Sequence, residues 1–495
     1  MSLIELTDLT FSYDGSPEPV FEGLTLQLDT DWKLGFTGRN GRGKTTLLRL
    51  LAGQLPCGGS IAASVNCVYF PYPVDRPEQT ARAVAAAAAP EAEEWQLRRE
   101  LGLLDLPEEI LDRPFATLSF GERTKVLLAA LFLRDDAYPL IDEPTNHLDL
   151  EGRRKLASYL SRKRGFLLVS HDRDFLDRCT DHTLALTPTG AQVRRGSFSV
   201  WWENKQRQDD FERARQEKLQ KDIGRLNEAA RRASAWSDRT EQGKFGVDKT
   251  GAKAADRGYV GHQAAKLMKR SKAIQRRREE AVEEKSRLLR DVEKQETLLL
   301  RPRPNPPGRR LLELRDVSVA YGGRTVCAGV GFEVCSGERI ALRGPNGCGK
   351  TSLLRLALGE LTPAAGRVET RSGLVISCVS QSTDSLSGSL TDFLRGRGLD
   401  ATRFHTVLRK LDFPRSQFVV DLSRYSAGQK KKVLLAASLC EEADLYIWDE
   451  PLNYVDVLSR MQVEELILSC RPTLLFVEHD GRFCGTVATR TVDLG

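Results

Sequence analysis

Two stretches of the chain carry one pattern, GRNGRGKT at 38–45 and GPNGCGKT at 344–351, with Lys44 and Lys350 separated by 306 positions. Three further landmarks keep that spacing. Gly121 (in SFGE) and Gly428 (in SAGQ) are 307 apart, Asp142 and Asp449, each before a glutamate, are 307 apart, and His171 (SHD) and His479 (EHD) are 308 apart. Four landmarks in register make the chain a tandem duplication, a feature that decides the fold before any local pattern is read. Each copy opens with apolar alternation (4–11 and 312–320), reaches the glycine-rich turn and enters a helical run, LLRLLAG or LLRLALG. That context is what a phosphate-binding turn requires. Short apolar runs at 166–169 and 474–477 read as buried parallel strands, so each copy is expected to be an alternating α/β domain.

The turn residues Gly38, Asn40, Gly41 and Gly43, and Gly344, Asn346, Gly347 and Gly349, are expected to aim backbone N–H groups and a helix N-terminus at a triphosphate. Lys44 and Lys350 then reach the outer phosphates, Thr45 and Thr351 hold Mg²⁺, and Thr46 and Ser352 follow in the nucleotide-binding turn. Asp142 and Asp449 end the apolar segments YPLID and LYIWD, where a carboxylate faces the metal; Glu143 and Glu450 next to them are placed to orient the attacking water. Pro139 sits awkwardly in the first of these strands, because it cannot donate to a ladder. LSFGERTKVLLAALFL (118–133) and YSAGQKKKVLLAASLC (425–440) place a serine and a small turn before a long helix. Ser119, Gly121 and Glu122, and Ser426, Gly428 and Gln429, therefore read either as an anion site serving the opposite copy or as an ordinary helix cap.

Composition adds two constraints. The ten cysteines form no CxxC pair and no Cys/His cluster, so neither a zinc site nor a disulfide framework is expected, and the thiols read as reduced. No apolar run approaches the roughly 18 residues of a membrane span, and the first residues lack the pattern of a secretory signal. The net charge of +6 is unevenly placed: residues 203–301 hold 26 basic and 18 acidic residues, a net of +8 that leaves the rest at −2. Within this insert, 211–236 is helical in pattern, with Leu219, Ile223, Leu226, Ala230 and Ala233 on one seam. Leu267, Ile274, Ala281 and Leu288 recur every seven, and 242–261 reads as a loop between two antiparallel helices of roughly 45 to 50 Å each. Cations and rings gather at the loop end, among them Trp236, Lys244, Phe245, Lys249, Lys253, Arg257 and Tyr259. They suit structured RNA, or they pin the helices together, packing being the stronger reading for Trp236.

The order of phosphate loop, serine-glycine signature, acidic pair, EPTNHLD or EPLNYVD, and switch histidine resembles the ATP-binding cassette (ABC) superfamily across both copies. Two cassettes with a charged helical linker and no membrane domain resemble its ABC-F subfamily of translation factors. The resemblance implies two tandem ABC-type P-loop ATPase domains of the α/β class joined by a long antiparallel helical hairpin. The expected bounds are 1–202 for the first cassette, 203–301 for the linker, 302–310 for a Pro-rich connector and 311–495 for the second cassette. It implies cassettes closed head to tail around two ATPs, so that Lys44 shares a site with Ser426 and Gly428, and Lys350 with Ser119 and Gly121. His171 and His479 are then γ-phosphate contacts, Asp149 and Asp456 lie in the D-loops, Tyr13 and Tyr321 stack on adenine, and Gln381 is the Q-loop glutamine beside the metal. Tyr72 stands where the first copy should carry that glutamine, Phe120 replaces a signature glycine, and Glu122 and Gln429 differ, so unequal turnover at the two sites is expected.

By the same resemblance the linker enters the ribosomal E site towards P-site tRNA and the peptidyl-transferase centre, with 23S rRNA and tRNA met by Lys244, Lys249, Lys253, Arg257, Lys266, Lys269 and Arg270. EPLNYVD, YSAGQKKKVLLA and WSDRTE with a long linker look most like the antibiotic-resistance branch of Lsa and Vga type, which dislodges lincosamides, pleuromutilins and streptogramin A compounds. The expectation is a cytoplasmic, ribosome-protecting ATPase using ATP and Mg²⁺, working as a monomer with its cassettes paired within the chain, with no membrane and no obligate protein subunit. A translation factor for stalled or vacant ribosomes, the ATPase subunit of a transporter and a DNA-repair ATPase stand as alternatives.

Overall fold

The alternating pattern that opens each copy folds as the middle strand of an antiparallel sheet. In the computed structural model, which describes residues 2–14, 19–146, 148–187, 190–242, 298–384 and 386–494 with 266, 269, 272–277, 279, 280 and 282, β1 (Leu3–Phe11) lies between β2 (Phe21–Asp29) and β4 (Gly58–Ala63). Ile4 faces Leu28 and Leu6 faces Leu26 across the β1–β2 pair, and all four are buried, so one face of this sheet is core. The second copy repeats the arrangement, with β10 (Arg310–Tyr321) between β11 (Arg324–Cys335) and β13 (Ala365–Thr370).

The other sheet of the first copy has six strands in the order β5 (Asn66–Phe70), β6 (Ala137–Asp142), β7 (Phe166–Val169), β3 (Lys33–Thr37), β8 (His182–Thr187) and β9 (Gly190–Arg195). Its counterpart has five: β14 (Ile376–Val379), β15 (Leu445–Asp449), β16 (Leu474–Val477), β12 (Arg339–Arg343) and β17 (Arg490–Asp493). The ladders β5–β6–β7–β3–β8 and β14–β15–β16–β12–β17 are parallel. Strands of this kind are covered on both faces and so read as unbroken apolar runs. On β15, Leu445 and Ile447 join one core while Tyr446 and Trp448 join another; on β16, Leu475 and Val477 divide from Leu474 and Phe476 in the same way. Parallel register also brings Phe36, Val169 and Asp142 level, so the chain leaves β3, β6 and β7 at one edge, and that edge carries the chemistry.

Pro139 is accommodated by a shortened ladder. It pairs with Val68 on β5, but the pairing of β6 with β7 begins only at Leu140, whereas Tyr446, 307 positions on, pairs with Leu474.

The insert departs from expectation at its start. Its first helix runs Phe198–Gln242, 45 residues, or about 68 Å at 1.5 Å per residue, and begins at Phe198 rather than at 211. Asp177 Oδ1 accepts the Ser199 N–H at 2.8 Å, satisfying a first-turn donor that the helix itself cannot. Leu219, Ile223 and Leu226 are half-buried, while Lys218 and Arg225 are exposed. Of the expected returning helix, Lys266, Lys269, 272–277 and Val282 are helical, and Arg276 pairs with Glu280 at 3.0 Å. The loop after Gln242, and Leu267, Ala281 and Leu288 of the second seam, lie outside the described residues. Residues 202–294, with 187–189, make one structural unit, and the two copies together make the other. Among the described residues no helix is long and apolar enough to cross a membrane. The connector lies against the second copy: Leu298 and Leu300 enter its core, and Asn305 bonds Asp444 at 2.8 Å.

Candidate active sites

Each phosphate loop follows an interior strand of its sheet, β3 or β12, and ends in a helix, Lys44–Leu51 or Lys350–Ala357. The residues capping these helices, Gly43 and Gly349, have φ of 89° and 99°, a left-handed backbone that favours glycine. A Cβ on Gly43 would come within 2.5 Å of Val20. Lys44 is buried with its ammonium on the carbonyls of Gly38 (2.6 Å) and Arg39 (3.1 Å), and burial lowers its pKa. Lys350 is held alike by Gly344 and Pro345, both at 2.8 Å.

Two of the cavities between the copies bring phosphate-loop and serine-glycine residues together, and each draws on both copies. One, of about 680 Å³, is lined by Asn346, Gly347, Lys350, Thr351, Gln381, Glu450 and His479 of the second copy and by Ser119, Gly121, Glu122 and Asp149 of the first. The other, of about 500 Å³, brings Asn40, Gly41, Glu143 and His171 of the first copy together with Ser426, Gly428 and Gln429 of the second. Lys44 and Thr45 are not among its lining residues. Asn40 Nδ2 donates to the Tyr454 carbonyl at 2.8 Å across this boundary. Ser119 and Ser426 are helix caps as well as cavity residues. Each accepts the N–H of the residue three on, at 3.3 and 3.2 Å, and Glu122 and Gln429 return a bond to the serine N–H at 2.7 and 2.9 Å. The helix-cap reading of this motif is met, with Glu122 and Gln429 closing the box, and the same serines face a cavity shared with the opposite copy.

Glu143 and Glu450 share a backbone outlier, φ of 50° and 48°, fixed by bonds from their N–H groups to Val169 and Val477. Such a conformation costs a non-glycine residue about 1–3 kcal/mol and persists where the surroundings impose it. Their electrostatics differ. Burial, with Asp142 alongside, pushes the Glu143 carboxyl up to about 8, and its Oε1 has no hydrogen bond, lying 3.4 Å from His171 Nε2. Burial also drives His171 well below its ordinary pKa, so it is neutral. Burial opposes ionisation of Glu450 too, yet His479 (Nε2 at 3.2 Å) and Gln381 hold that carboxyl below its usual range, and Asn453 Nδ2 donates to it at 2.6 Å.

Asp149 and Asp456 cap the next helices, accepting from Gly152 and Ser459 at 2.8 and 2.9 Å. Burial works against the Asp456 charge, but Lys432 and the Ser459 N–H bring its carboxyl down to about 2. Tyr13 and Tyr321 are half-exposed and stand alike, each hydroxyl within 2.9 and 3.1 Å of Thr46 and Ser352. Tyr72 donates its hydroxyl to the Leu127 carbonyl at 2.9 Å. Lys266 and Lys269 are exposed on helix, while Lys244, Lys249, Lys253, Arg257 and Arg270 lie outside the described residues.

Motif reading missed three contributors. Lys125 and Lys432 line opposite cavities and donate to equivalent carbonyls, Leu104 at 3.1 Å and Leu411 at 2.6 Å. Arg153 and Arg460 are buried, bond Leu148 and Val455, and pair with Asp172 and Asp480 at 3.0 and 3.5 Å. Both pairs sit at the offset of 307 and were open to detection by it. Tyr69, whose hydroxyl donates to Asp142 Oδ2 at 3.0 Å, is not repeated as a tyrosine in the second copy and gave no signal.

The donor sets fit a magnesium ion. Thr45 Oγ1 lies 2.7 Å from Asp142 Oδ2, Thr351 Oγ1 lies 3.5 Å from Gln381 Oε1, and Asp449 Oδ1 is buried without a hydrogen bond. These are few, all-oxygen donors, as suits an ion that keeps waters and takes its other ligands from phosphates. Among the described residues there is no cluster of three or more His, Cys, Asp or Glu that would hold a metal unaided.

The family model described as ABC transporter matches residues 21–146 and 327–453. The chain is 30% identical over 97% of its length to the ATP-binding protein Uup of Caulobacter vibrioides, covering 75% of that protein. It is 29% identical over 97% of its length to the ribosome protection protein VmlR of Bacillus subtilis, covering 84%. With the energy-dependent translational throttle protein EttA of Haemophilus influenzae it shares 25% over 96%, covering 89%. In fold it is similar to the archaeal ribosome recycling factor aABCE1, solved with ribosomal stalk protein aP1, at a TM-score of 0.64 and 20% identity over 98% of this chain and 87% of that one. With two copies of the cassette matched and relatives aligned along nearly its whole length, the chain belongs to the ATP-binding cassette family, as an ATPase of the ABC-F type.

Proposed function

We propose that each cavity holds one ATP with Mg²⁺ between the phosphate loop of one copy and the serine-glycine turn of the other, and that closing and opening these sites drives the basic insert on the ribosome. The observation that supports this reading is the reciprocity of the two cavities: each lacks its signature residues unless the other copy supplies them. Lys44 and Lys350 hold the outer phosphates, Tyr13 and Tyr321 meet the base, and His171 and His479 touch the γ-phosphate. Glu143 and Glu450 accept a proton from the attacking water as its oxygen bonds to the γ-phosphorus and the bond to the bridging oxygen of ADP breaks. Magnesium, held by Thr45 and Asp142 in one site and by Thr351, Gln381 and Asp449 in the other, supplies charge neutralisation at the phosphates.

The insert is the output. A net of +8 over residues 203–301, against −2 elsewhere, supports a polyanion partner, and the names of VmlR and EttA support the ribosome as that partner. The proposed action is entry at the E site towards P-site tRNA and the peptidyl-transferase centre, dislodging a bound antibiotic. Similarity to EttA favours a second reading, a translation factor with no role in resistance. Expression in a drug-sensitive host tests the two. A raised inhibitory concentration for lincosamides, pleuromutilins or streptogramin A, lost with Glu143→Gln and Glu450→Gln, supports protection; unchanged susceptibility favours the second reading.

A further inference from the structure

The position of the missing glutamine at the first site is fixed by strand register. Phe70 pairs with Ile141 on β6 and Val379 pairs with Trp448 on β15, each partner being the residue before the strand-ending aspartate. Tyr72 and Gln381 therefore stand two residues beyond equivalent points. Gln381 turns its carbonyl oxygen to the Thr351 hydroxyl. Tyr72 is committed elsewhere, with its hydroxyl on the Leu127 carbonyl.

The space beside Thr45 is served from three residues earlier. Tyr69 Oη donates to Asp142 Oδ2 at 3.0 Å, and the same oxygen accepts from Thr45 Oγ1 at 2.7 Å. The ring is steadied by Arg49, whose guanidinium carbon is 5.8 Å from its centroid. The equivalent residue in the second copy is Cys378, opposite Ile447 as Tyr69 is opposite Leu140, and its side chain ends several bonds sooner.

We infer that Tyr69 takes the place of Gln381 at the first site as a hydrogen-bond donor to Asp142 and not as a cation ligand, so that the first site holds its metal more weakly than the second. An amide oxygen has lone pairs to offer a cation. A phenol that donates to the carboxylate offers little, and it occupies, with Thr45, the carboxylate oxygen that would otherwise face the metal's water shell. Partners to a metal's ligands carry about 10- to 100-fold in affinity, usually in its favour; here the sign is reversed, because a donor bonded to the carboxylate oxygen withdraws electron density that the cation's shell would use.

The inference rests on the reading that both cavities take nucleotide, and the two are tested together in the full chain. Equilibrium dialysis with AMP-PNP counts nucleotides, and electron paramagnetic resonance of free Mn²⁺, used in place of Mg²⁺, measures the metal. The expected result is two nucleotides per chain and two Mn²⁺ classes about 10-fold apart. Gln381→Ala should remove the tight class, Tyr69→Phe should tighten the weak one, and Tyr69→Cys with Tyr72→Gln should bring the two together. Two bound nucleotides with a single Mn²⁺ class, or a weak class indifferent to Tyr69→Phe, overturns the inference alone; no bound nucleotide overturns the reading beneath it as well.

Discussion

Arg39, in the phosphate loop of the first copy, pairs with Asp412 of the second at 2.6 Å. The relationship is not repeated at the other site. Pro345 occupies the place of Arg39, and Asp105, which shares with Asp412 a positive φ (56° and 54°) at the offset of 307, pairs with Lys155 of its own copy. The ion pair thus ties the copies together at the first site only. Burial pushes the Asp412 carboxyl up, so without Arg39 it can take a proton. Removing either partner should lower thermal stability at pH 7, by about 1–3 kcal/mol. Unchanged melting temperatures in both Arg39→Ala and Asp412→Ala would contradict this assignment.

The two glutamates predict different pH profiles. A base acts only when ionised, so a carboxyl pushed up to about 8 loses its competent fraction as pH falls below that value, about tenfold per unit, while one held low does not. Glu450→Gln leaves the first site, whose ATP hydrolysis should climb up to about pH 8; Glu143→Gln leaves the second, which should be nearly flat over about pH 6 to 8. Superimposable profiles would show that the asymmetry has no catalytic effect.

The duplication, the α/β class and the loops of both sites were legible because glycines, lysines and acids recurring in one order at a fixed offset arise from the copying of a whole domain and hardly otherwise. The reach of Tyr69 was not, since a motif records which residue stands at a position and not which neighbour's side chain arrives there. The true start of the long helix was hidden as well. The apolar seam appears only after 211, whereas between Phe198 and 211 the chain continues as helix with neither Gly nor Pro to stop it. Arg153 and Arg460 were readable in principle, because each lies four residues past the helix-capping aspartate of its copy, Asp149 or Asp456.

Charge on the insert predicts a salt signature. If Lys249, Lys253 and Arg257 meet phosphates, replacing all three by alanine should weaken ribosome binding and make the log–log dependence on salt shallower, by about 0.7 to 0.9 per lost contact. Weaker binding with an unchanged slope would assign these residues to packing.

Nucleotide closure of the paired copies should set ribosome binding, and the sharpest check is sedimentation of the Glu143→Gln, Glu450→Gln protein through sucrose with 70S ribosomes and ATP. This variant should travel with the ribosomes while the wild-type protein is released after turnover. Equal amounts of both in the ribosomal fraction, with or without ATP, would refute the coupling of closure to binding.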